Sequence, residues 1–277
     1  MKQSRVICVL SGGGAKATAH VGAVRALMER SVRPVHYVGT SMGAVLAACF
    51  ACGLSYSQIL RRITSVTRRD VAAFSPEIIL GAFATSLFRA NPLKETIAHL
   101  VDADSFDELR TPLTVTAVDS KSGELVLFGS GGRSQVPLVD ALYASCALPV
   151  YYPPARIGDR EYVDGGMRAV LPLDVAVRFD PDLVFAVEVG PSFWADPAER
   201  EARVPPMVRA HGQAIGILMA AQTEDTIGRW KHGAVPLVLV RPRREREVTF
   251  AAHHAVRYVE EGFRSANVAL DEWNGNR

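Results

Sequence analysis

The first fifty residues contain the same event twice: a short β-branched run breaks into glycine, and the chain then turns helical. Val6 to Leu10 runs into Gly12-Gly13-Gly14, and in the AKATAHVGAVRALMER stretch that follows, Val21, Val24, Leu27 and Met28 recur at helical spacing. After Pro34, VHYVG leads through Thr40-Ser41-Met42-Gly43 into MGAVLAACFACG, which is apolar on every side and rich in small residues. Such a helix must be buried and closely approached by its neighbours, with Gly53 as its C-terminal cap. Two consecutive strand–turn–helix units open a mixed α/β fold, the expected fold class.

The rest of the chain fits that class. Residues 55–110 read as helical, with Ser57 as an N-cap, an arginine-rich stretch (Arg61, Arg62, Arg68, Arg69) and a break at Pro76. PLTVTAVD and ELVLF alternate as strands around a Lys121-Ser122-Gly123 turn, and EYVDGG and DLVFAVEVG add further strands. Residues 191–206, with four prolines, read as a loop; Met207 to Trp230 as a helix; VPLVLVRP as a strand; His254 to Trp273 as a closing helix. A length of 277 residues allows one large α/β domain or two small ones. No repeat or linker divides the sequence, so a single domain over 1–277 is expected.

Gly39-Thr40-Ser41-Met42-Gly43 fits G-x-S-x-G between a strand and a helix, where a sharp turn exposes a serine hydroxyl. Gly39 and Gly43 leave room for that turn, and the helix that follows points its N-terminal amides at developing negative charge. The glycine loop Ser11 to Lys16 has two functional readings. Gly12-x-Gly14-x-x-Ala17 formally matches a dinucleotide fingerprint, but His36-Tyr37-Val38-Gly39 stands where the ribose-binding acid belongs. The other reading is an oxyanion hole built from the bare backbone amides of Gly12, Gly13 and Gly14 at a helix N-terminus.

A nucleophile needs a base. None of His20, His36, His99, His211, His232, His253 and His254 follows a strand in a context that singles it out, and His20 reads as a packed or hydrogen-bonded histidine. Ser41 also comes too early for an α/β-hydrolase. Asp164-Gly165-Gly166 sets a carboxylate on a turn after a strand, which alone is equally a hairpin signal.

In combination and order, the glycine loop, G-x-S-x-G and the distant Asp-Gly-Gly resemble the patatin-like phospholipases. AVDSKSGELVLF, ASCALPVYYPP and YVDGG extend the resemblance over most of residues 6–190. It implies a three-layer α/β/α fold with a mostly parallel central sheet, a Ser–Asp dyad of Ser41 and Asp164, an oxyanion loop of Gly12, Gly13 and Gly14 with Lys16 as its basic residue, and Gly165 and Gly166 behind the base. It implies no cofactor and no metal. Two positions depart from the pattern: Ala17 replaces a glycine, and Met167 to Pro172 lacks the asparagine often found there.

The implied activity is hydrolysis of carboxylic esters of phospholipids or related lipids through an acyl-enzyme, with Asp164 as base. The expected pH–rate profile lacks a histidine-like acidic limb near pH 6–7. Rival readings are a thioesterase or transacylase on the same scaffold and a non-catalytic lipid- or nucleotide-binding module. The Pro76 to Phe88 stretch reads as a core helix in preference to an acyl channel or a lipid-facing surface. The arginine runs 61–69 and 241–246 read as solvated surface in preference to headgroup contacts.

Charge sets the remaining expectations. Thirty-one Lys plus Arg against 29 Asp plus Glu disfavour a nucleic-acid partner and suit the mostly apolar lipid or acyl-ester substrate that the resemblance implies, and an apolar share of 48% leaves room for transient membrane-surface contact. Four cysteines in apolar runs, Cys49-x-x-Cys52 among them, read as reduced packing residues. With only five apolar residues in a row before Ser11, no signal peptide or span is expected, giving a cytoplasmic protein, peripheral at most; no oligomeric state is read.

Overall fold

A computed structural model describes residues 4–77, 85–190, 206–230, 235–242 and 252–275. Its centre is an eight-stranded mixed sheet: β1 (Val6–Leu10), β2 (His36–Thr40), β3 (Leu113–Asp119), β4 (Leu125–Gly129), β5 (Ala155–Ile157), β6 (Arg160–Asp164), β7 (Leu183–Val187) and β8 (Leu237–Val240). The order is β5-β6-β3-β2-β1-β7-β8, with β4 on β3. The strands from β3 through β2, β1 and β7 to β8 pair in parallel; β4, β5 and β6 join antiparallel.

Residue alternation along β1 explains the two layers around it. Val6, Cys8 and Leu10 enter one apolar cluster, Ile7 and Val9 the other. The larger cluster is closed by Leu27 of α1 (Ala19–Glu29), Leu46 of α2 (Met42–Ala51), Ile59 of α3 (Tyr56–Ser65) and Val71 of the short α4 (Arg68–Val71). Ile97 of α5 (Ala90–Leu100) and Leu142 of α6 (Leu138–Cys146) complete it. The smaller cluster is covered by α7 (Leu173–Ala176) and the end of α8 (Pro206–Trp230), through Leu173, Val175 and Ile227. A strand buried on both faces has no polar side to show, which is why β1, β2 and β3 are buried throughout.

The last helix, α9 (Ala252–Gly275), lies against α1 at backbone contact. A Cβ on Gly22 would overlap the Val259 carbonyl, and one on Gly262 would overlap the carbonyl of Ala19, so each helix offers the other a bare glycine. This close approach fixes the start of α1, and with it the loop that precedes α1.

Three local expectations are corrected. The cap of α3 is Ser55, because Gln58 stands three residues on and closes a capping box with it; Ser57 sits inside the first turn. The first helix opens as a 3-10 turn, Gly14–Thr18, before α1. Helix does not continue to residue 110: after α5 the chain makes only a 3-10 turn, Phe106–Glu108. The loop expected over 191–206 falls outside the described residues except for Pro206, and most of the Pro76 to Phe88 stretch, 78–84, is outside them too. Its ends are tied by a bridge between Phe74 and Phe88.

Cys49 is buried with its thiol on the Leu100 carbonyl, and burial pushes that thiol up to about 12, so it packs as an inert group. Arg62 ties down Asp102 and the Leu100 carbonyl, and Arg241 pairs with Glu188 and Glu224. Both are structural arginines. Among the described residues, no helix is long and apolar enough to cross a membrane.

Candidate active site

The sheet register brings together two residues that the sequence separates by 123 positions. A strand has two edges, and β4 takes one edge of β3 from Thr114 to Val118. Strands β2 and β6 therefore share the other edge. The parallel β2 reaches its last pair at Thr40 and Thr116; the antiparallel β6 reaches its last pair at Asp164 and Ala117. Their C-terminal ends thus meet head to head over adjacent residues of β3. Ser41 follows one end, Asp164 is the other, and Ser41 Oγ donates to Asp164 Oδ2 at 2.8 Å.

Ser41 sits in a turn that side chains rarely enter, with φ 53° and ψ −133°. That conformation costs of order 1–3 kcal/mol and persists only where the surroundings enforce it. Here they do. A Cβ on Gly39 would collide with the backbone of Ala44, and one on Gly43 with the carbonyl oxygens of Leu10 and Ser11. The absent side chain of Gly43 lets the start of α2 rest against the glycine loop. The Ser41 amide donates to the hydroxyl of the fully buried Ser145 at 2.7 Å. Beside it the Thr40 hydroxyl donates to the Ala169 carbonyl at 2.7 Å and receives the Thr116 hydroxyl at 2.6 Å, joining the end of β2 to the segment after Asp164.

Asp164 is 4% exposed. Its Oδ1 accepts the Gly166 amide at 2.7 Å, capping the 3-10 turn Gly165–Met167, and its own amide donates to the Ala147 carbonyl at 3.0 Å. Burial pushes the carboxyl up to about 7, against the opposing pull of the Gly166 amide and the Ser41 hydroxyl. Gly165 must lack a side chain because a Cβ would overlap Thr116, and at Gly166 one would press on Asp164 Oδ1 and Met219. The Cys146 thiol lies beside both Ser41 and Asp164, and burial raises it far above the ordinary range, so it stays protonated.

The glycine loop is anchored through Ser11. Its amide donates to Val187, its hydroxyl accepts the Val189 amide at 3.1 Å, and its carbonyl accepts from His20 Nε2 at 2.9 Å. His20 is wholly buried and its pKa is lowered to about 4 by desolvation, so a neutral ring supports the loop. One expectation is corrected here: the Gly12 amide donates to the Val170 carbonyl at 3.0 Å and cannot also receive an oxyanion. The amides of Gly13 and Gly14 head the 3-10 turn, where backbone N–H groups have no intrahelical acceptor. A Cβ on Gly13 would collide with Val189, and Gly14 has φ 51°. Lys16 and Ala17 are buried in that turn, so the alanine departure falls where the chain is already helical. Among the described residues, no histidine hydrogen-bonds to Ser41 or Asp164.

Sequence reasoning missed Ser145, the Thr40–Thr116 clamp and the Ser11 anchor. Ser145 stands in ASCALPVYYPP, but nothing in the sequence indicates that its hydroxyl meets a backbone amide 104 residues away.

Comparison with known proteins adds the family. The model of the patatin-like phospholipases matches residues 8–177. An uncharacterised NTE-family protein of Mycobacterium tuberculosis is 31% identical over 226 residues, which are 80% of this chain and 60% of that protein. The omega-hydroxyceramide transacylase of Mus musculus is 32% identical over 169 residues, 58% of this chain and 27% of that protein. The chain thus spans 60% of the length of its mycobacterial relative. Among solved structures, VipD from Legionella pneumophila shares the fold with a TM-score of 0.51 at 17% identity, over 98% of this chain and 67% of that one.

Proposed function

The chain belongs to the patatin-like phospholipase family, and from that premise we propose that it is a lipid acyl hydrolase, cleaving carboxylic esters of phospholipids or related lipids. The observation that carries this reading is the 2.8 Å bond from the Ser41 hydroxyl to a buried Asp164, beside a glycine loop with open amides. Asp164 takes the Ser41 proton as Oγ attacks the ester carbonyl, and the amides of Gly13 and Gly14 receive the oxyanion. Such donors contribute about 3–4 kcal/mol each to transition-state stabilisation. Collapse breaks the ester C–O bond, and the departing alcohol takes the proton from Asp164. Water then attacks the acyl-Ser41 ester, gives its proton to Asp164, and the fatty acid leaves as the proton returns to Ser41.

Acyl transfer to an alcohol in place of water is a second reading, favoured by the likeness to a relative named as a transacylase. The deciding experiment is a panel of phospholipid, lysophospholipid, p-nitrophenyl ester and acyl thioester, with and without an acceptor alcohol. It is run on wild type, Ser41→Ala and Asp164→Asn, with fluorophosphonate labelling alongside. Ser41→Ala should lose labelling and about 10³-fold or more of the rate while staying folded. Labelling that persists in Ser41→Ala would move the nucleophile elsewhere, and a folded wild type inert to the whole panel would favour a non-catalytic lipid-binding module. A transient contact with the membrane surface belongs to this proposal, since the substrate resides there.

A further inference from the structure

Ser145 takes no part in the proposed chemistry, yet it is fully buried and its hydroxyl is the acceptor for the Ser41 amide at 2.7 Å. The next two residues also reach the dyad. Cys146 lies against the side chains of Ser41 and Asp164, and the Ala147 carbonyl accepts the Asp164 amide at 3.0 Å. Three consecutive residues at the end of α6 therefore bind the nucleophile's backbone, border the reacting side chains and bind the base's backbone. We infer that residues 145–147 form the template that aligns the dyad, and that Ser145 is the positioning residue for Ser41.

The physical argument concerns the peptide between Thr40 and Ser41. Ser41 occupies φ 53°, ψ −133°, a conformation that relaxes unless its flanking peptides are held. The Ser145 hydroxyl fixes the direction of that amide by accepting its N–H at 2.7 Å from a fully buried position. A turn of this peptide swings the Ser41 side chain off Asp164, and small misplacements of a reacting atom cost up to about 100-fold in rate. The same bond also removes the Ser41 amide from the set of oxyanion donors, leaving that work to Gly13 and Gly14.

This inference rests on the reading of Ser41 as nucleophile, and its test separates the two. Purified wild type, Ser41→Ala, Ser145→Ala and Ser145→Cys are compared in three measurements: rate of fluorophosphonate adduct formation by intact mass, kcat and KM on a p-nitrophenyl ester, and the pH of half-maximal kcat. Cysteine is close to isosteric but a weak acceptor, so it keeps the packing and loses the hydrogen bond. Both Ser145 variants should label about 10- to 100-fold more slowly than wild type. The kcat should fall by the same factor, KM should stay within about twofold, and the pH of half-maximal rate should not move, since the burial of Asp164 is untouched.

A residue that only supports the fold would lower the folded fraction without slowing labelling of the folded protein. Labelling of both variants within about twofold of wild type, or a rise in KM with kcat unchanged, overturns the inference. If Ser145→Ala does not fold, Ser145→Cys alone decides by the same criteria. Persistent labelling of Ser41→Ala would instead overturn the dyad reading, a result that no Ser145 variant can produce.

Discussion

Asp164 decides how the proposed chemistry responds to pH. An exposed carboxylate near its ordinary value would be ionised throughout the neutral range and a feeble base. Burial brings this one to about 7, where half of it carries a proton. The expectation of a pH–rate profile without an acidic limb near pH 6–7 is therefore replaced: the rate should rise as Asp164 loses its proton through about pH 7. A limb at that pH no longer points to histidine by itself. It should survive replacement of each histidine in turn, and its disappearance in any one of those variants would remove Asp164 from the role of base.

Stability carries the same signature with a defined sign. The folded protein holds the Asp164 proton more tightly than the unfolded chain does, so the stability gained from it is fully present below about pH 4 and is lost as pH rises through about 7. Urea unfolding at pH 5 and pH 8 should show wild type weakening with pH relative to Asp164→Asn, which lacks the titration. The candidates Ser41 and Asp164 could be read from motif order, and the fold brings them together. The carboxyl's high pKa and the engagement of Gly12 could not, because both depend on partners such as Val170 that only the folded chain brings near.

At the scale of elements, the strands and helices that follow from periodicity stand where the sequence places them, and the exceptions have local causes. The cap at Ser55 was signalled by Gln58 three positions on, a pattern equally visible in the sequence, and Ser55→Ala should cost about 1 kcal/mol. β5 has only three residues, Ala-Arg-Ile, too few to show an alternation, and forms because β6 offers it an edge. The contact of α1 with α9 is the least visible of all, since Gly22 and Gly262 look like ordinary helix interruptions until the two backbones are seen to meet. Gly22→Ala should destabilise by about 1–3 kcal/mol in denaturant unfolding, although alanine is the better helix former. A neutral or stabilising result would show that α9 yields at this contact.

For the whole molecule we propose one cooperative unit. The family match stops at residue 177, yet β1 pairs on one side with β2 and on the other with β7, and β8 extends the sheet beyond it. A chain ended at residue 180 would strip one edge of β1, remove α8 from beside the Asp164 loop and expose the glycine face of α1. It should give no cooperative unfolding transition and no fluorophosphonate labelling, checked by circular dichroism and intact mass. A folded, labelled fragment would divide the chain into two units.

The central position of β1 also sets a timetable. A ribosome delivers Ser41 first, Asp164 more than a hundred residues later, and the strand that closes the other side of β1 later still. Domains generally fold as units once their parts have been made. The nascent chain therefore carries Ser41 without Asp164 for a long stretch of synthesis, and a ribosome that stalls between β6 and β7 leaves a product with both residues but no finished sheet to hold them. On the proposed reading, hydrolytic competence is a late event in synthesis, reached once β7 and β8 have joined the sheet.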